Sequence, residues 1–288
     1  MEQFRLSGNE SESLQVRSCQ AIRLSADRDE AFTADIVAEE PLEIVVNGSR
    51  VATLMRLPGD ERELAVGFCF TEGLVADFGS ILLVAHCGTA PLSSPTGSAP
   101  LESRNRVHVT ASPGAVRSRS DWSRLIRAGC GGIDPEEVLQ GDWQPVASSL
   151  QVGRNVLLAL NRSLLEQPRI YRRTGGVHAA ALYDAQGSLL VVREDIGRHN
   201  AVDKVIGYAL LRSIPLADKL ILTTGRASHE MVTKAARAGV PILASVSAPT
   251  SLAVELGQRL NLTLVGYVRG PYATVYTHPW RVAGVTPG

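Results

Sequence analysis

Between Tyr171 and Tyr208 the chain concentrates side chains able to hold charge or bind a ligand. The run contains Thr174-Gly175-Gly176-Val177-His178 and, after an apolar stretch, Arg193-Glu194-Asp195-Ile196-Gly197-Arg198-His199-Asn200. A plain core segment has no use for such clusters. Placed where strand turns into helix, they predict a ligand site. His178, His199 and His229 read as groups lining that site rather than as proton carriers. A second feature is Cys130, set between Gly129 and Gly131-Gly132. Glycine on both sides gives the thiol reach and exposure. Arg124 and Arg127 nearby favour the thiolate, which is the reactive form. The other thiols are weaker candidates. Cys69 reads as a small buried hydrophobe, Cys19 belongs to the N-terminal region, and Cys87 beside His86 falls far short of a zinc set.

The elements that must position these groups follow from local pattern. Pro41 to Val46, the pair Asn47-Gly48 and Arg50 to Leu57 read as a hairpin, because Asn-Gly supplies the positive φ of a tight turn. Asp60 is placed to cap a helix over Glu61–Glu72, which Gly73 ends. Val107-His108-Val109 is a short strand. Ala180 to Val192 reads as a hairpin turning at Asp184–Gly187. His199 to Arg212 carries Val202, Val205, Ile206, Ala209 and Leu210 at helical spacing. Strand 219–224, helix 228–238, strand 241–246, helix 250–260 and strand 262–268 then alternate, the pattern of a parallel sheet.

Parallel sheets bind ligands beyond the carboxyl ends of their strands. Those ends here carry Gly225-Arg226-Ala227-Ser228, Ser247-Ala248-Pro249-Thr250 and Arg269-Gly270-Pro271-Tyr272. The first two open helices, whose free amides attract phosphate. Gly225 lets backbone approach a ligand, and Arg226 and Arg269 can fork onto phosphate oxygens. A phosphate-bearing ligand, such as a nucleotide or a pterin dinucleotide, fits this edge.

Bulk properties bound the rest. The 288 residues suggest two domains. The 29 basic and 29 acidic side chains cancel, which disfavours nucleic acid. The chain shows no apolar run of membrane-span length, and its acidic, polar start does not read as a signal or transit peptide. Four cysteines without a secretion signal point to the reducing cytoplasm. The expected layout is a disordered tail (1–19), an N-terminal α+β domain (20–125), a mobile cysteine loop and linker (126–152) and an α/β cofactor-binding domain with a mostly parallel sheet (153–288).

Longer blocks resemble the formate dehydrogenase accessory sulfurtransferase (FdhD) family. They are Glu40-Pro41-Leu42-Glu43-Ile44, Glu63 to Phe68, Thr174 to Ala180, Glu194 to Lys204, Thr224-Gly225-Arg226, Ser245 to Thr250 and Val275-Tyr276-Thr277-His278. The resemblance implies a sulfur carrier. A loop cysteine, here Cys130, would take persulfide sulfur from a cysteine desulfurase and pass it to the molybdenum bis(molybdopterin guanine dinucleotide) used by the formate dehydrogenase catalytic subunit. It implies a guanine nucleotide site over Tyr267, Val268, Arg269, Gly270, Pro271 and Tyr272, joined by Gly225, Arg226, Ser247 and His199 from the sheet edge. It also implies a homodimer and a second domain similar in fold to cytidine deaminases. No resident metal, nucleic acid or membrane partner is expected.

One departure matters. The family usually carries Cys-x-x-Cys in this loop, and the chain has Cys130-Gly131-Gly132-Ile133. One thiol can carry a persulfide but cannot close a disulfide within the loop. An alternative is therefore a cofactor-binding chaperone for formate dehydrogenase that lacks sulfur transfer. A nucleobase deaminase is disfavoured, since His178 is followed by Ala179-Ala180 where a glutamate is needed, and no Pro-Cys-x-x-Cys is present.

Overall fold

The computed structural model describes residues 5–6, 14–86, 103–116 and 143–285. The cysteine loop with Cys130, the basic run 117–127, Cys87 and nearly all of the Gly/Ser/Pro-rich loop lie outside the described residues. Strand β1 (Arg5–Leu6) lies against β2 (Val16–Leu24), which forms a long antiparallel hairpin with β3 (Asp29–Val37). Residues 16–19, expected to lie in a disordered tail, belong to β2. Val16 anchors the hairpin base, fully buried beside Leu57, Ile170 and Val177.

The Asn47-Gly48 turn is as read. It joins β4 (Glu40–Val46) to β5 (Ser49–Arg56) with φ values of 47° and 79°, both positive as a type I′ turn demands. Helix α1 (Glu61–Thr71) follows. The capping role expected of the Asp60 side chain is not realised. Asp60 sits in the left-handed region at φ 57° and makes no capping bond, and Glu61 Oε1 instead accepts from Gly59 N–H at 2.7 Å. Strands β6 (Ile81–His86) and β7 (Arg106–Ala111) complete a sheet of order β5-β4-β7-β6. Leu64, Ala65, Phe68 and Cys69 of α1 pack on its inward residues Leu42, Ile44, Val107 and Val109.

The second module opens with β8 (Val152–Gly153), helix α2 (Arg154–Glu166) and helix α3 (Arg169–Thr174). It continues with β9 (His178–Tyr183), β10 (Leu189–Asp195), α4 (Arg198–Leu211), β11 (Leu220–Thr223), α5 (His229–Arg237), β12 (Ile242–Ser245), α6 (Ser251–Arg259), β13 (Thr263–Arg269), β14 (Tyr272–Val275) and β15 (Val282–Ala283). The elements expected from the β9–β10 hairpin to β13 are present within a few residues.

The main sheet runs β10-β9-β11-β12-β13-β14. Its expected mostly parallel character needs correction. Only β11–β12 and β12–β13 are parallel, while β10–β9, β9–β11 and β13–β14 are antiparallel. The reason is connection length. Hairpins at Asp184–Gly187 and Gly270 can only return antiparallel; crossovers through α5 and α6 set β11, β12 and β13 side by side in parallel, whereas the crossover through α4 sets β10 and β11 on either side of β9, which is antiparallel to both. Side chains alternate between two cores. Ile221, Leu243 and Leu264 meet α4, α5 and α6 through Val202, Met231 and Leu256. Leu220, Leu222, Ile242 and Val265 meet α2 through Leu157, Leu160 and Leu164. Among the described residues no helix is long and apolar enough to cross a membrane.

Candidate functional site

Most of the polar density between 171 and 208 is engaged within the second module or across the seam between the modules. Glu194 accepts from the backbone N–H groups of Arg169, Ile170 and Tyr171 at 3.0, 3.1 and 2.7 Å and so caps α3. Arg193 forks onto Glu63 of α1 at 2.6 and 3.1 Å, and Arg212 adds a third contact to Glu63 at 3.0 Å. Asp195, fully buried, stands 2.8 Å from Lys204 Nζ and accepts from Leu57 N–H, Gly197 N–H and Asn200 Nδ2. Asn200 donates across the seam to Met55 O, and Lys204 to Leu57 O. Thr174 Oγ1 donates to Ile170 O, and Gly175 ends α3 at φ 67°. The reading of this run as a ligand site is therefore corrected for these residues. A seam between modules must satisfy every backbone group it buries, and polar side chains do that.

What remains is narrower and lies at the sheet edge. Arg198 and His199 open α4. Gly225 closes the turn after β11: its N–H donates to Thr223 Oγ1 at 3.2 Å and its carbonyl accepts from Ser245 Oγ at 2.7 Å. Ser245 Oγ also accepts from Ser247 N–H, and Ser247 O accepts from Tyr267 N–H at 3.1 Å. Arg269 Nε donates to Val246 O at 2.8 Å, and its guanidinium carbon lies 5.8 Å from the centre of the Tyr267 ring. The expected residues Gly225, Ser247, Tyr267 and Arg269 are thus joined by one hydrogen-bonded chain across β11, β12 and β13.

Tyr267 holds φ 53° and Gly270 φ 59°, so the strand end kinks and turns outward. Arg269, Gly270, Pro271 and Tyr272 are exposed, with Tyr272 at 77%, whereas Val268 faces the core. Arg226 is exposed beside Gly225. Gly266 admits this geometry, since a Cβ there would lie 2.9 Å from Pro249 Cδ and 3.0 Å from Tyr276 Cε2.

His199 Nε2 lies 2.8 Å from Glu230 Oε2 of α5. Burial pushes the Glu230 carboxyl up, but the His199 contact and the nearby His229 and Lys234 outweigh it and hold it below the ordinary range. His178 Nδ1 stands 3.3 Å from Thr224 Oγ1. Burial first, then Arg198 and His199, lower the His178 pKa. Arg198 and Ser228 lie in the expected polar run and strand-end loop, and that Arg198 Nε and Ser228 Oγ are buried without a partner among the described residues is a signal only coordinates carry.

Two cavities of about 500 and 540 Å³ open along the module seam and share Asp60, and a third of about 410 Å³ lies beside Arg169, Arg172 and Arg173. None of these cavities is lined by Gly225, Ser247, Tyr267 or Arg269. Among the described residues no group of three or more His, Cys, Asp or Glu side chains could hold a metal ion. Cys69 is buried, and burial together with Asp203 and Glu72 pushes its thiol up to about 12. It is expected to resist iodoacetamide in the native chain at pH 8 and to react on unfolding, as peptide mass mapping would record.

A sequence profile of the FdhD/NarQ family matches residues 37–283. Sulfur carrier protein FdhD of Mycobacterium tuberculosis is 41% identical over 266 residues, covering 90% of this chain and 95% of that one. The protein of the same name from Sulfolobus acidocaldarius is 34% identical over 270 residues, covering 91% and 97%. The crystal structure of a candidate formate dehydrogenase accessory protein from Desulfotalea psychrophila superposes with a TM-score of 0.73 at 26% identity, covering 93% of this chain and 99% of that one. The family match runs from residue 37 to 283, through both modules and the sheet edge: the chain belongs to the FdhD/NarQ family.

Proposed function

We propose that the chain is a sulfur carrier serving formate dehydrogenase. In this reading the Cys130 thiolate attacks the terminal sulfur of a cysteine desulfurase persulfide. The donor's S–S bond breaks, a new one forms on Cys130, and the donor leaves as a thiolate. The substrate is the molybdenum bis(molybdopterin guanine dinucleotide) of the formate dehydrogenase catalytic subunit. The terminal sulfur passes to it as a neutral atom, Cys130 keeps its thiolate, and the metal centre supplies the two electrons that make a sulfido ligand.

The observation that supports the reading is the joined edge of Gly225, Ser247, Tyr267 and Arg269, whose aromatic and guanidinium groups would suit a guanine nucleotide moiety. Gly270, Pro271 and Tyr272 extend that surface, and Arg226 and His199 flank it. A homodimer, a cytoplasmic setting and a second module similar in fold to cytidine deaminases belong to the same proposal.

Incubation with a cysteine desulfurase and cysteine is expected to add about 32 Da, one sulfur on a thiol. Cys130→Ala is expected to abolish the gain and the rescue of formate dehydrogenase in a deletion strain. Equal sulfur uptake by Cys130→Ala would remove Cys130 from the role. The missing partner at Ile133 favours one other reading, a chaperone that holds the cofactor without sulfur chemistry. That reading predicts full rescue by Cys130→Ala and none by Arg269→Ala.

A further inference from the structure

The β2–β3 hairpin is tied to the rest of the chain at its base. Val16 and Val37 close on Ile170 and Val177, Arg17 reaches Glu40 at 2.9 Å, and Arg173 of α3 reaches Asp35 at 2.6 Å. Asp35 pairs with Ser18, and from there the two strands stay in register out to Leu24 and Asp29. Six further residues at about 3.4 Å each make an arm of roughly 20 Å. Every residue from Ile22 to Ala31 is exposed. The tip is well formed, since Ser25 Oγ donates to Arg28 O at 2.6 Å and accepts from Arg28 N–H at 3.1 Å.

The two faces of the arm differ. Strand alternation sets Arg23, Glu30 and Phe32 on one of them. There the Arg23 guanidinium carbon lies 4.4 Å from the centre of the Phe32 ring, and Arg23 stands 3.7 Å from Glu30, so the aromatic ring is covered. The other face continues from Val16 and Ser18 past the Gln20–Thr33 hydrogen bond at 3.1 Å to Ile22 and Leu24. These two are 68% and 74% exposed. A two-stranded ribbon has no core of its own, and adjacent bare aliphatic side chains on one of its faces mark a docking surface.

The bare face turns towards α3, because Asp35 on it takes Arg173. Arg169, Tyr171 and Arg172 of that helix are exposed, and Arg169 and Arg172 have no ion pair among the described residues. Together with Arg173 they line the hollow of about 410 Å³. An aliphatic wall thus stands beside a basic floor. This corner adjoins the candidate site. Gly176 lies so close to the hairpin base that a Cβ there would stand 2.8 Å from Val37 Cγ1, and two residues later His178 stands beside Thr224.

We infer that the corner docks an acidic segment of the formate dehydrogenase catalytic subunit, with its aliphatic side chains on Ile22 and Leu24 and its carboxylates at Arg169 and Arg172. Charge and position select this partner. A basic floor attracts carboxylates, and a protein held here brings its own cofactor beside the edge from Gly225 to Arg269. The partner's identity rests on the sulfur-carrier reading.

Binding of the full chain to the purified, cofactor-loaded catalytic subunit is measured by biolayer interferometry at low and high salt. Ile22→Ser combined with Leu24→Ser is expected to weaken binding at least about tenfold in both, because the burial of two aliphatic side chains is lost. Arg169→Glu combined with Arg172→Glu is expected to weaken it at least about tenfold at low salt, and to remove the weakening that added salt causes in the native chain. A native melting curve for each variant excludes misfolding as the cause, and a sulfur gain of about 32 Da from the desulfurase, equal to the native one, separates docking from loading. Native binding by both variants, or no binding by the native chain, overturns the corner. A native dimer that the serine variant splits into monomers assigns the arm to a second copy and overturns it as well. If both variants lose binding while Cys130→Ala rescues formate dehydrogenase fully, the corner stands and the sulfur-carrier reading falls.

Discussion

Lys234→Met is expected to destabilise the fold by about 4 kcal/mol, within the roughly 3–5 kcal/mol that follows from orphaning a buried charge. Lys234 Nζ stands 2.9 Å from Asp203 Oδ2, 2.6 Å from Glu72 Oε1 and 3.0 Å from Thr71 Oγ1, and the Lys234 and Asp203 side chains are 5% and 1% exposed. Three helices meet in this knot, since Thr71 ends α1, Asp203 lies on α4 and Lys234 on α5. Burial pulls the lysine pKa down, and Asp203 and Glu72 push it up further, so the ammonium stays charged. Burial drives the Asp203 carboxyl upward, against Lys234. With Lys234 gone, burial and Glu72 still push the carboxyl up and only the Thr71 hydrogen bond opposes them, so the folded state is expected to hold the Asp203 proton more tightly than the unfolded chain does. The sign follows: a carboxyl whose folded pKa is raised contributes stability below its unfolded value, and that contribution fades as pH rises through the folded value. Lys234→Met is therefore expected to be more stable at pH 5 than at pH 8 relative to the native chain. Its melting temperature at neutral pH is expected to fall on the order of 8 °C, from about 2 °C per kcal/mol at this chain length. Adding Asp203→Asn is expected to restore part of the loss, since the fully buried carboxylate is then gone and only the more exposed Glu72 has lost its partner. A single variant that melts like the native chain at both pH values would show that the pair contributes nothing.

How legible this molecule is in its sequence depends on the distance over which each feature is written. The Asn47-Gly48 turn, the helix at 198–211 and the alternation from β11 to β13 are local, and each is readable from a window of a few residues. Helices α2 and α3 escaped a reading aimed at polar clusters, although Leu157, Leu160 and Leu164 carry a helical period over 154–166. The polar run at 193–204 is legible as important and illegible in purpose. Its partners are Leu57, Glu63, Met55 and Thr71, more than 120 residues away, and nothing local separates a carboxylate that holds a seam from one that holds a ligand. The site divides in the same way. Gly225, Ser247 and Arg269 were readable because loops at strand ends have a known place in α/β sheets. Ser228 was readable as an N-cap by type, and only the coordinates reveal that its hydroxyl caps nothing.

The second large effect lies where α1 crosses α4. A Cβ on Gly67 would stand 1.9 Å from Asp203 O, and one on Gly207 would stand 1.9 Å from Glu63 O and 2.9 Å from Gly67 N. These obstacles are backbone, so no side chain can swing away and the helices themselves must part. Gly67→Ala and Gly207→Ala are each expected to lose about 3 kcal/mol, at the upper end of overpacking, despite the roughly 1 kcal/mol by which alanine favours a helix over glycine. Urea midpoints would record both losses. The double variant is expected to lose little more than either single one, because the helices separate once and that separation relieves both clashes, a coupling on the order of 2 kcal/mol. Additive losses would mean that the two glycines answer to different constraints. The effect also reaches the sheet edge. Helix α4 carries Arg198 and His199 at its start, so pushing it away from α1 shifts both against Ser228 and Glu230 of α5. GDP affinity is therefore expected to fall in Gly207→Ala at temperatures where the variant is still folded, and unchanged affinity there would uncouple the seam from the site.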